Sequence, residues 1–198
     1  MIERIDLIGN GESRIGIDID NINSYKIGCN AAYRDSKLDC LVAVDRRMVE
    51  EAVDNSFHKP IYTRKDWAAS FAFYPNVRLL PALPYVGDLK QDDPWHWGSG
   101  PHACNLAATM RPKEIHLWGF DLWGNNGKIN NLYKGTKNYD PSTHHSIDPR
   151  FWIYQLSQCF RYYPDIIWIQ HQPEGWKKPE SWNFKNLIMS PCNTSGCY

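Results

Sequence analysis

The sequence predicts an α/β fold: a single Rossmann-like domain with a mostly parallel sheet, helices on both faces and a lid loop. Short apolar runs of strand length alternate with segments of helical period along most of the chain, and the turns between them are built from glycine, asparagine and serine. One long stretch, 123–143, fits neither period.

In chain order, Ile5-Asp6-Leu7-Ile8 supports a strand over 4–8, and Gly9-Asn10-Gly11-Glu12-Ser13 is a turn that lets backbone approach a ligand closely. Its spacing is not that of the dinucleotide fingerprint. Tyr25-Lys26-Ile27-Gly28-Cys29 predicts a second strand, ending on Asn30, and Leu41-Val42-Ala43-Val44 a third, over 40–44, ending on Asp45. Met48, Val49, Ala52 and Val53 form one stripe of a helix over 46–55, with Asp45 as its N-cap. Strands near 60–62 and 77–80 flank a helix near 64–70. Gly98-Ser99-Gly100 then opens a helix over 101–110 with Pro101 at its first position, stopped by Arg111-Pro112. An apolar strand over 115–119 follows and leads to Asp121. Asp148-Pro149 starts a helix over 148–162, and the last predicted strand is 166–170. The stretch 123–143 has few apolar anchors over about 20 residues, which reads as a mobile lid that carries Tyr133 inward on closure. These elements make residues 1–175 a nucleotide-binding α/β domain and 176–198 a C-terminal strap, tail or homo-oligomer contact.

Composition narrows the class. The chain has 198 residues, 42% of them hydrophobic, enough for one core, and its formal net charge of zero provides no basic field for nucleic acid. No apolar run reaches membrane-spanning length and no leader precedes the first strand, so the expectation is a soluble cytoplasmic protein without a membrane span. The six cysteines, Cys29, Cys40, Cys104, Cys159, Cys192 and Cys197, are scattered without zinc-site spacing, and no metal site is expected.

The candidate site follows from where the turns fall. Strand ends in an open α/β sheet flank the ligand crevice, and helix N-termini present unpaired amides, so Ser99, Gly100 and Asp121 are expected to converge with Gly9, Asn10, Gly11 and Asn30. A phosphate suits the helix end. Asparagine, both donor and acceptor, suits a neutral base or sugar edge. Trp95, Trp97, Trp118 and Trp123 bracket these segments, as expected for sugar or base binding. Among the histidines, His144 and His145 sit at a rigid helix entrance, where an imidazole suits a general base. His171 is expected to face the ligand edge and His96 to stack on or bond a ligand, while His58, His102 and His116 read as structural.

The order of Leu7-Ile8-Gly9-Asn10-Gly11-Glu12-Ser13, Gly28-Cys29-Asn30, Gly98-Ser99-Gly100, Lys113 to Asp121 and His145-Ser146 resembles that of bacterial sialyltransferases that modify lipooligosaccharides, over residues 5 to about 170. The first and third motifs also resemble the 6-hydroxymethylpterin pyrophosphokinase-like family. The sialyltransferase resemblance implies a glycosyltransferase that moves a sugar from a nucleotide-activated donor such as CMP-sialic acid to a carbohydrate acceptor hydroxyl, with inversion and no metal. It further implies that Asn10 and Asn30 contact the nucleotide, that Ser99 and Gly100 line its ribose and base, and that His145 is the general base. Of the two tyrosines that support the leaving phosphate in that family, Trp123 stands at the first and Tyr133 matches the second. Asp45 departs from the pattern and leans toward a Mg²⁺-dependent pyrophosphokinase-like enzyme, in which Asp45 and Asp121 would hold the ion. A nucleotide- or sugar-binding module without catalysis is the third alternative, favoured by the missing tyrosine.

Overall fold

The computed structural model describes residues 2–192. Eight strands, β1 (Arg4–Ile8), β2 (Tyr25–Cys29), β3 (Cys40–Val42), β4 (Ile61–Thr63), β5 (Val77–Leu79), β6 (Glu114–Trp118), β7 (Ile167–Gln172) and β8 (Leu187–Pro191), form one sheet in the order β5-β4-β3-β2-β1-β6-β7-β8. All seven ladders are parallel. The α-helices are α1 (Arg46–Asp54), α2 (Lys65–Ser70), α3 (Ser99–Thr109) and α4 (Arg150–Tyr162). The first five strands run outward in sequence from β1, and α3 then carries the chain back to β6 on the other side of β1. Strand order therefore reverses at the β1/β6 seam, where an α/β sheet of this kind opens a ligand crevice.

The alternation of side chains along the strands builds a core on each face. Ile5, Leu7, Ile115, Leu117 and Trp168 pack with Leu106 of α3 and with Leu156 and Phe160 of α4, whereas Ile8, Leu41, Ala43 and Trp118 pack with Met48, Val49 and Ala52 of α1. Four cysteines, Cys29, Cys40, Cys104 and Cys159, are free and buried, and Cys192 is buried just after β8. Burial pushes the thiols of Cys29 and Cys40 up to about 12, which keeps them protonated. Cys197 lies outside the described residues. Among those described, no helix is long and apolar enough to cross a membrane.

Several local expectations need adjustment. Helix α3 begins at Ser99 with Gly98 as its N-cap, so Pro101 is its third residue, where the first-turn N–H has no intrahelical acceptor to lose. Asp45 occupies the N-cap position of α1, yet its side chain makes no capping bond. The segment 123–143 lacks helix and strand but is tied to the body. Leu132 N donates to Asn10 O (2.8 Å), Arg34 Nη1 to Thr136 Oγ1 (2.7 Å) and Asn138 Nδ2 to Glu51 Oε2 (2.6 Å). Leu187–Pro191, placed by the sequence reading within the strap, is a strand of the same sheet.

His171 does not face the crevice. On the other side of the β6–β7 pair, His116 Nδ1 lies 2.8 Å from His171 Nε2, and the His171 ring stacks on Trp118 with centroids 3.6 Å apart. Burial, reinforced by the neighbouring His116, pushes the His171 imidazole down to about 3, and burial also lowers His116 and takes His102 down to about 4. A histidine lowered in the folded state binds its proton only in the unfolded chain. Its stabilising contribution is thus complete above the unfolded pKa of about 6.5 and is lost as pH falls below it. The melting temperature should accordingly drop between about pH 6.5 and pH 4.5, ahead of the carboxylates. His171→Gln, which keeps a hydrogen-bonding group opposite His116 but cannot titrate, should make that decline shallower. An unchanged slope in a pH series of thermal melts would assign the loss to other groups.

Candidate active site

At the β1/β6 seam the two strand ends interlock through glycine. Gly9 N donates to Trp118 O (2.7 Å) and Gly11 N to Gly119 O (2.9 Å). A Cβ on Gly9 would stand 2.5 Å from Gly119 O, and one on Gly11 would overlap the Asp121 carboxylate. The Gly-Asn-Gly sequence is what this contact requires, since a larger residue at either end would prise β1 from β6. Asp121 completes the joint. Its Oδ2 accepts from Ser13 N (2.9 Å) and its Oδ1 from the Ser13 hydroxyl. Phe120 O accepts from Gln170 Nε2 and Gln172 Nε2, each at 2.9 Å, so the turn after β6 is anchored from β7 as well.

Above this joint lies a cavity of about 470 Å³, within the range of small-molecule sites. All eight sequence-predicted binding residues, Gly9, Asn10, Gly11, Asn30, Ser99, Gly100, Asp121 and Trp123, line it. Asn10 donates from Nδ2 to Tyr139 Oη (2.9 Å), while its Oδ1 is buried without a partner. Asn30 holds a left-handed backbone at φ 50°, which asparagine tolerates better than most residues. Its Oδ1 accepts from Ser99 Oγ (2.7 Å), which in turn accepts from Val44 N (3.1 Å). This relay leaves the Asn30 amide protons for a ligand. The cavity thus offers an unpartnered acceptor from Asn10, donors from Asn30, and the first-turn amides of α3 at Ser99 and Gly100.

The two predicted catalytic residues are placed differently. Tyr133 is not part of the cavity wall: its hydroxyl is locked between Arg14 Nη2 (2.6 Å) and Asp35 Oδ1 (2.7 Å). Tyr139, six residues further on, lines the cavity instead, and burial pushes its phenol well above the usual range, so it remains a hydrogen-bond donor. His145 is exposed, its backbone bridged to Lys128, and lies one residue outside the wall to which Ser146 belongs. His96 and Trp95, which the sequence marked as ligand-facing, also line the wall, as do Trp152, Arg47, Arg64 and Asn138, which it did not mark. Only the run of aromatics around His96 hinted at that side of the cavity. Trp123 lines the wall with its indole N–H already given to Lys177 O (2.7 Å). Among the described residues no group of three or more His, Cys, Asp or Glu is arranged to hold a metal.

No family model matches the chain, and neither does any curated protein. Among solved structures, the sialyltransferase CstII from Campylobacter jejuni in complex with the substrate analogue CMP-3FNeuAc is 17% identical, with a TM-score of 0.51 over 85% of this chain and 80% of that one. This chain has the fold of that sialyltransferase. A second structure of CstII, with cytidine-5'-monophosphate, is 15% identical at a TM-score of 0.49, covering 100% of this chain and 89% of that one. A third, with a trisaccharide acceptor and CMP, is 16% identical at 0.48, covering 96% of each.

Proposed function

We propose that the chain is a glycosyltransferase that moves a sugar from a CMP-linked donor such as CMP-sialic acid to a carbohydrate hydroxyl, with inversion and without a metal. The observation that carries this reading is the convergence of Asn10, Asn30 and the α3 N-terminus on one cavity at the strand-order reversal. An orphaned amide oxygen and free amide protons suit a cytosine or ribose edge, while helix amides suit the phosphate beside it. In the proposed step His145 removes the proton of the acceptor hydroxyl. The oxygen attacks the anomeric carbon as its bond to the phosphate oxygen breaks, and CMP leaves with the bonding pair. Tyr139 takes the place beside the phosphate that the sequence assigned to Tyr133, donating from its hydroxyl alongside the amides of Ser99 and Gly100. Both oxygens of Asp121 accept hydrogen bonds from Ser13, so its carboxylate already has a structural role at the β1–β6 joint without a metal.

Incubation with CMP-sialic acid and lactose should release CMP and form a sialylated product at a rate unaffected by EDTA. CMP binding without any turnover would make the chain a binding module, and turnover abolished by EDTA would reinstate a metal-dependent reaction. Asn10→Ala should weaken CMP binding about 5- to 150-fold, the usual effect of losing a buried hydrogen-bond partner, with little change in melting temperature. Unchanged affinity in calorimetry would remove Asn10 from the nucleotide site.

A further inference from the structure

The wall of the cavity nearest β4 carries an aromatic surface that the nucleotide reading does not use. Trp95, in the short 3-10 helix Pro94–His96, lines the cavity and is 50% exposed. It is also held firmly. Arg64, which follows β4, lies over one face of the indole with its guanidinium carbon 3.9 Å from the ring centroid, and its Nη1 donates to Trp95 O (2.7 Å). Trp67 contacts the same pair, 6.2 Å from Trp95 and 5.6 Å from the Arg64 guanidinium, and is itself tied through Nε1 to Val44 O (2.7 Å). Trp95 N donates to Asp93 Oδ1 (2.9 Å), fixing the backbone. Arg64 covers one face of the indole, and half of the residue remains exposed. Asp45, Arg47 and His96 stand along the same cavity wall as hydrogen-bonding groups.

A rigid, half-open aromatic face with polar groups around it matches a pyranose, whose axial C–H bonds pack on the ring while its hydroxyls reach outward. We propose that Trp95, braced by Arg64, is the platform for the acceptor sugar: an uncharged pyranoside with an unbroken C–H face. The assignment rests on the glycosyltransferase reading and names the acceptor class for that same site. Rigidity is central, because a platform already ordered in the free protein pays no immobilisation entropy when the sugar binds.

The test is equilibrium binding of lactose and, separately, of CMP to the wild-type chain, Trp95→Ala and Trp95→Tyr, with melting temperatures as a folding control. Lactose affinity should fall at least about tenfold in Trp95→Ala and stay within about threefold in Trp95→Tyr, with CMP affinity unchanged in both. No lactose binding by the wild-type chain, equal lactose affinity in Trp95→Ala, or an equal loss of CMP and lactose would each overturn the proposal; the last result would make Trp95 a nucleobase platform. Lactose is measured with and without CMP, so absence of CMP binding by the wild-type chain counts against the donor reading while the lactose arm still decides this one.

Discussion

Trp182→Ala is expected to cost about 3–5 kcal/mol of stability, the range for removing a fully buried tryptophan, from a domain whose total is of order 5–15 kcal/mol. Trp182 is 0% exposed, packs edge-on against Phe160 of α4 at 5.2 Å and donates from Nε1 to Ile153 O (3.0 Å). The segment after residue 175 thereby plugs the α4 side of the sheet before β8 adds to its edge. For a chain of this length each kcal/mol corresponds to about 2–4 °C, so the melting temperature should fall by roughly 6–20 °C. Trp182→Phe should recover part of the loss through the retained ring contact. A cost below about 1 kcal/mol in denaturant unfolding would show that this segment is a dispensable strap.

That contrast marks where the sequence was legible. The seven predicted strands and four helices carry their own local signals: apolar runs such as Ile5 to Ile8, the stripe of Met48, Val49 and Ala52, and the Gly98-Ser99-Gly100 turn before α3. β8 carries little signal. Leu187-Ile188-Met189-Ser190-Pro191 ends in a proline, lies at the sheet edge and leaves Ile188 49% exposed, so it reads as tail until β7 is there to pair with it. The cavity walls divide the same way. Residues at strand ends were readable because topology places strand ends together, and all eight predicted binding residues line one cavity. Trp95 was marked only as one of the aromatics bracketing the turns, and Tyr139 and Arg64 were not readable. They sit on irregular segments without a period, and their positions are set by distant partners: Asn10 for Tyr139, and the stacked Trp67–Arg64–Trp95 group for the β4 side.

The largest effect on activity is expected from the base. His145→Ala should cut turnover of CMP-sialic acid and lactose by about 10²- to 10⁴-fold, the usual contribution of a positioned proton acceptor, with CMP affinity nearly unchanged. His145 is held by a small hairpin in which Ser146 N donates to Gly127 O (3.0 Å) and Ile129 N to His144 O (3.2 Å). Ser146 already lines the cavity, so a modest turn of this hairpin about the bound acceptor would bring the next imidazole in; catalytic contacts often tighten only in the substrate complex. His144 is directed elsewhere, with Nδ1 3.9 Å from Asp140 Oδ1 and most of its side chain in solvent, and His144→Ala should remain within a few-fold of the wild-type rate. The critical control is His96→Ala, because His96 lines the cavity without any movement of the chain. If His145 is the base, His96→Ala keeps a turnover number near wild type. If His96→Ala takes the 10²- to 10⁴-fold loss and His145→Ala does not, the proton passes to His96, and the hairpin that carries His145 has no part in the chemical step.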